Sequence, residues 1–136
     1  MERLFRILLI FQLLLLTVFF FVPWGFAYGA DAEMALTWQG FNALVGDKVI
    51  YFSSQLASIL YVVSYIGLFF FKNWARMLLL FVSVVGGICI SLYGVSIQSG
   101  FESMISYFMT LIDGALITVS FFTSIHIRFN GEAIER

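Results

Sequence analysis

Charge is what this chain has least of. Only 11% of its 136 residues are Asp, Glu, Lys or Arg, whereas a water-soluble domain carries about 25%. A chain so poor in charge cannot cover a soluble surface, and a soluble globular domain is excluded. The formal net charge of −1 gives no basic field for nucleic acid and implies no strongly charged partner. Cysteine, histidine and proline occur once each. A single cysteine rules out an intramolecular disulfide, and Cys89 lies in an apolar run where it reads as a small buried thiol. One histidine and one cysteine make no metal-ligand cluster. The signatures G-x-S-x-G, H-E-x-x-H and C-x-x-C are missing, as is a phosphate-cradling glycine loop. The expectation is a protein without catalytic activity, cofactor or bound metal.

What fills the chain is apolar. It is 62% hydrophobic and 19% aromatic, with a mean hydropathy of +1.01. A bilayer core needs about 20 apolar residues in a helix, and four runs, at 4–24, 49–71, 77–97 and 104–127, come close to or exceed this. The fold class expected is an all-α integral membrane protein. Four transmembrane helices, arranged as two hairpins, make one domain over residues 1–136, with the lipid bilayer as the first partner.

The first run is interrupted only by Arg6, Gln12 and Thr17, and Pro23 marks its stop. Ala30-Asp31-Ala32 resembles a signal-cleavage site, but the run exceeds the usual 7–15 residues of a signal peptide, so a retained helix is expected. Between the first two runs, Met34, Trp38, Phe41 and Val45 recur at i, i+4, i+7 and i+11. That spacing predicts a short amphipathic surface helix in the outer loop, with Asp31 capping its start and Gly46 closing its end. The second run carries a small-residue stripe, Ser53, Ala57, Ser64 and Gly67, beside a polar-aromatic one, Ser54, Ser58, Tyr61 and Tyr65. Lys72 to Arg76 reads as a tight turn. In the third run, Ser83, Gly87, Ser91 and Gly94 form a ladder of small residues that lets two helix backbones approach in lipid. Packing against the small stripe of the second run is favoured over packing on another subunit.

The fourth run holds the residue that asks for an explanation. On a helix, Ser106, Thr110, Asp113, Ile117, Ser120 and Ser124 fall on one stripe, in steps of 4, 3, 4, 3 and 4. A carboxylate at bilayer depth costs at least about 2.5 kcal/mol on insertion scales and normally faces protein or water. Counting depth from the outer face brings Ser58 level with Asp113, with Gln55 and Thr17 a turn higher and no Lys or Arg nearby. Three roles stay open for Asp113. It is a neutral acid bonded to hydroxyls, the partner of a cation on another subunit, or a site for a proton or small cation. His126 reads as an interfacial anchor and Glu102 as a solvated acid.

Two functions follow as expectations. The first is a non-enzymatic accessory or interaction subunit, working in a larger membrane assembly or as a homo-oligomer. The second is a small oligomeric transporter or channel subunit using Asp113. Orientation comes from the positive-inside rule. Arg3, Arg6, Lys72, Arg76, Arg128 and Arg136 fall on one side, and only Lys48 falls on the other. Both termini are expected in the cytoplasm, most simply across a bacterial inner membrane. In a Cys89→Ser background, cysteine labels at Gly29 and Gly100 should therefore react from outside the cell, and labels at Asn73 and Asn130 should not; the reverse pattern would overturn the charge argument.

Overall fold

The computed structural model describes residues 2–28, 36–123, 125 and 129. Four long helices carry the fold: α1 (Glu2–Phe21), α2 (Asp47–Phe69), α3 (Asn73–Leu92) and α4 (Gly100–Phe122), with a short 3₁₀ turn at Trp24–Ala27 after α1. Each of the four is long and apolar enough to cross a membrane, and only 11–22% of each apolar stretch is buried. Among the described residues there is no strand. α2 packs most extensively on α3 and α1 on α4, with lesser contacts between α1 and α2 and between α3 and α4. The four helices thus close into a ring.

Every helix begins two to four residues before the corresponding apolar run. Hydropathy marks where a helix is greasy, whereas the backbone turns helical as soon as its first N–H groups find partners. At α4 that partner is a capping box. Ser99 Oγ accepts from the Glu102 N–H at 3.2 Å, and Glu102 Oε2 accepts from the Ser99 N–H at 2.7 Å. Glu102 is therefore a cap rather than a merely solvated acid. It also accepts a hydrogen bond from the Tyr28 hydroxyl, which ties the chain leaving α1 to the start of α4. That bond to the carboxylate holds the Tyr28 phenol above its usual pKa. Residues 73–76, expected as part of a turn, form the first turn of α3.

The α2–α3 turn is Phe70 to Lys72. The Lys72 N–H returns to the Gly67 carbonyl at 2.9 Å and the Phe71 N–H to that of Leu68 at 3.0 Å, which satisfies carbonyls that α2 would otherwise leave open. The pattern requires a left-handed residue, normally glycine, and Phe71 takes it at φ 52°. The cost is about 1–2 kcal/mol. In return its ring lies 5.9 Å from that of Phe5 and 5.4 Å from that of Phe129. The Arg6 guanidinium sits 5.5 Å from the same ring and 5.4 Å from Phe69.

Small residues bring α2 against α3. Ser64 is fully buried, and a Cβ on Gly67 would come within 2.6 Å of Ala75 Cβ and 2.9 Å of the Trp74 ring. On α3 it is Ser83 and Gly86 that face α2, both toward the Tyr61 hydroxyl, at 3.5 Å from Ser83 Oγ and 3.8 Å from where a Cβ on Gly86 would stand. Gly87 has nothing within 4 Å, and Ser91 is exposed with its hydroxyl bonded back to the Ile88 carbonyl. Gly94 lies past the end of α3 at φ +76°, where a Cβ would meet the Phe41 carbonyl oxygen and stand 2.6 Å from Ala43 N.

That approach joins the α1–α2 and α3–α4 connections. Gly40 N–H donates to Val95 O, Val95 N–H to Phe41 O and Leu44 N–H to Leu92 O, at 2.8, 3.0 and 2.9 Å. The start of the expected surface helix, including Asp31 and Met34, lies outside the described residues. From Thr37 onward the segment is a succession of turns rather than one α-helix, because Gly40 (φ 75°) and Asn42 (φ 59°) leave the helical region. Trp38 and Phe41 still meet edge to face at 5.0 Å.

The glycines differ in what they can accept. Gly67→Leu should lower the thermal midpoint in detergent by the equivalent of about 1–3 kcal/mol, through overpacking. Gly40→Ala, at positive φ but in open space, should cost only the left-handed penalty of about 1–2 kcal/mol. Gly94→Leu combines both and should be the worst. Equal midpoints for the three would show that these contacts do not govern packing.

Candidate functional site

The buried face of α1 is Phe5, Leu9, Gln12 and Leu16, spaced i, i+4, i+7 and i+11 like any helix stripe turned to a core. Three of the four are apolar. The amide in the third place points into the bundle with no accessible surface. Opposite it on α4 lies the stripe Ile105, Ile112, Asp113, Leu116 and Ser120, and α2 contributes Tyr65.

These elements meet at one carboxylate oxygen. Asp113 Oδ1 accepts from the Tyr65 hydroxyl at 2.7 Å and from Gln12 Nε2 at 3.1 Å. Gln12 Nε2 also lies 3.1 Å from Tyr65 Oη and 3.2 Å from the Met109 carbonyl. One amide nitrogen, with two hydrogens, therefore faces three oxygens. Its own oxygen, Gln12 Oε1, is fully buried without a hydrogen-bond partner. Tyr65 is 1% exposed and Asp113 9%. The Tyr61 ring stacks on that of Tyr65 at 5.9 Å.

The sequence-expected residues distribute differently. Asp113 and Ser120 are buried, Ser106 is half-buried and Thr110 is exposed; Ser124 and His126 lie outside the described residues. Thr110 Oγ1 donates to the Ser106 carbonyl at 2.9 Å and Ser120 Oγ to that of Ile117 at 2.9 Å, each within α4. Ser58 donates to the Ser54 carbonyl at 2.8 Å within α2, and Gln55 is exposed. None of these hydroxyls has a hydrogen bond to Asp113. The reason is local: a Ser or Thr in a helix satisfies its hydroxyl on its own i−3 or i−4 carbonyl, whereas a carboxylate needs donors from elsewhere. Ser120 instead offers its carbonyl to Arg76 Nη1 at 3.4 Å, while Arg76 Nε donates to Asn73 Oδ1 at 2.7 Å. The Arg76 guanidinium also stands 5.0 Å from the Phe121 ring and 5.5 Å from that of Phe129.

Gln12 and Tyr65 are the partners of Asp113 that depth counting misses. The signal for Gln12 was the amide itself, set in an otherwise apolar stripe. The signal for Tyr65 was its place at the C-terminal end of the polar-aromatic stripe. Asp113 lies about 20 Å from the start of α4 at Gly100, taking 1.5 Å per residue, and not the shorter distance obtained by starting the helix at Met104. Among the described residues, no group of three or more His, Cys, Asp or Glu side chains is placed to hold a metal ion. No family model, curated protein or solved structure matches the chain.

A shared acceptor makes the network non-additive. Tyr65→Phe and Gln12→Met should each reduce stability by about 1 kcal/mol, within the range of interhelical hydrogen bonds in membrane proteins. The double variant should lose clearly less or more than the sum. Strict additivity in an unfolding cycle would show that the three residues do not act as a unit.

Proposed function

We propose that this protein is a polytopic inner-membrane protein with both termini in the cytoplasm. It has no catalytic activity and acts as an interaction subunit, within a larger membrane assembly or as a homo-oligomer. The observation that carries this reading is the outer face of α3. Gly87 opens onto empty space and Ser91 is exposed, and their neighbours Val84 and Ile88 are 56% and 59% exposed. In lipid, helices associate through close packing of small residues rather than through the hydrophobic effect. A shallow, glycine-floored strip between apolar side chains suits a second helix. The exposed bulk of the other helices, such as Ile7, Phe11, Ile59 and Leu111, supports a lipid environment. The internal bonding of Asp113 supports a structural duty for that acid, with no need of a cation from another subunit.

A second reading, a small oligomeric transporter or channel subunit using Asp113, is favoured by one observation. The unpartnered Gln12 Oε1 beside a buried carboxylate is a polar arrangement that pure packing does not require.

The full chain purified in mild detergent separates the two. Native mass should exceed that of one chain, and Gly87→Leu should shift it toward the monomer while leaving the thermal midpoint within about 0.5 kcal/mol of wild type, as for surface substitutions. A monomeric wild type with no co-purifying membrane protein would reject the interaction reading. Proton or cation flux in proteoliposomes that is lost in Asp113→Asn, with mass unchanged, would promote the transporter.

A further inference from the structure

We propose that Gln12, Tyr65 and Asp113 form a proton-binding site whose occupancy inverts the Gln12 amide. This goes beyond the interaction reading and does not depend on it.

Donors and acceptors in the cluster do not balance. In the arrangement described, every donor in the cluster points at acceptors: the Tyr65 O–H at Asp113 Oδ1, and the Gln12 amino group at Asp113 Oδ1, Tyr65 Oη and Met109 O. That set suits an Oδ1 that carries no proton. The amide oxygen, on the far side, accepts from nothing, and a buried acceptor without a donor costs about 1–3 kcal/mol. The amide thus sits with one end oversupplied with acceptors and the other supplied with no donor.

A proton arriving at Asp113 Oδ1 forms an O–H bond there and turns that oxygen into a donor. No bond other than the proton's previous one breaks, and the charge of the cluster goes from −1 to 0. The Gln12 amino group then faces a donor where it had an acceptor. A half-turn of the amide about its last side-chain bond exchanges nitrogen for oxygen. Oε1 now accepts from the Asp113 O–H and from the Tyr65 O–H, which turns from one oxygen to the other while Tyr65 Oη gives up the amide N–H it accepted. The amino group takes the place where Oε1 had no partner, so each state leaves one amide end unsatisfied. The Met109 carbonyl gives up only a side-chain contact, because it lies inside α4 and keeps its backbone role. Two arrangements selected by one proton are what a switch element requires.

The surroundings keep the response to one group. From α1, Arg6 lies nine or so ångströms toward the N-terminus at about 1.5 Å per residue and is placed over the Phe69 and Phe71 rings. From α2, the titratable neighbours are Tyr65 itself and Tyr61, whose hydroxyl is directed to Ser83. From α3, Arg76 is bonded to Asn73 and to the Ser120 carbonyl. On α4, Glu102 is at the far end in the capping box.

The test uses the full chain in lipid nanodiscs, with the side-chain amides of glutamine labelled with nitrogen-15 and the carboxyls followed by infrared difference spectroscopy across a pH series. The expected result is a protonated-carboxyl band and a displaced Gln12 amide signal that appear together, with one midpoint. Both should be absent in Asp113→Asn. In Gln12→Met the carboxyl band should persist and the amide displacement vanish, so the test survives if Asp113→Asn does not fold. A carboxyl that titrates while the Gln12 signal stays fixed would overturn the inversion, since the proton would then reside on Oδ2. The absence of any Asp113 titration over the range in which the fold survives would overturn the site. Failure of the transporter reading is separate: coupled titration without flux would leave the proton site standing and remove transport, and flux with an unmoving amide would do the opposite.

Discussion

The arrangement of the bundle hangs on a carboxylate that cannot satisfy itself. A hydroxyl in a helix can turn back to its own backbone, and an apolar side chain is content with any apolar neighbour. Asp113 has neither option, so donors must be brought to it from other helices. Gln12 from α1 and Tyr65 from α2 answer that requirement, and in doing so they determine how three helices are rotated. Single hydrogen bonds of this sort average about 0.6 kcal/mol in membrane proteins. Their weight here lies in specificity: an apolar helix can be turned about its axis with little penalty in lipid, but one whose amide must reach a buried acid cannot.

The two ends of the bundle are fastened by different means. At the end that holds the start of α1 and the α2–α3 turn, aromatic rings do the work: Phe5, Phe71 and Phe129 meet one another, and the Arg6 and Arg76 guanidinium groups sit over rings of this group. The strained backbone at Phe71 belongs to this set, because glycine would relieve the turn and remove a ring from the cluster. At the opposite end the fastening is polar. The capping box at Ser99 and Glu102, the Tyr28 hydroxyl and the backbone bonds between residues 40–44 and 92–95 hold the connections together.

The four long apolar helices were legible from the runs of hydrophobic residues, and Asp113 from its charge. Partners were harder to read. The stripe of Ser and Thr hydroxyls drew attention toward Ser106, Thr110 and Ser58, yet such residues carry no directional information in a helix because their own backbone serves them. Gln12 and Tyr65 carried more, one as an amide in an apolar stripe and the other as a phenol on a helix face. Neither could be matched to Asp113 by depth, since the helices begin before their apolar runs do and do not lie level. The S-x-x-E spacing at Ser99 and Glu102 is a readable start signal for α4, set apart from the apolar run that begins at Met104.

Gln12 and Asp113 stand 101 residues apart in the chain. Because synthesis proceeds from the N-terminus, the amide of α1 is made long before its acid exists. Until α4 is made, Gln12 and Tyr65 have one another but lack the carboxylate that both serve. An intermediate without α4 therefore keeps two donors among apolar side chains with no acid to receive them. The fourth helix supplies what the first has lacked since its synthesis.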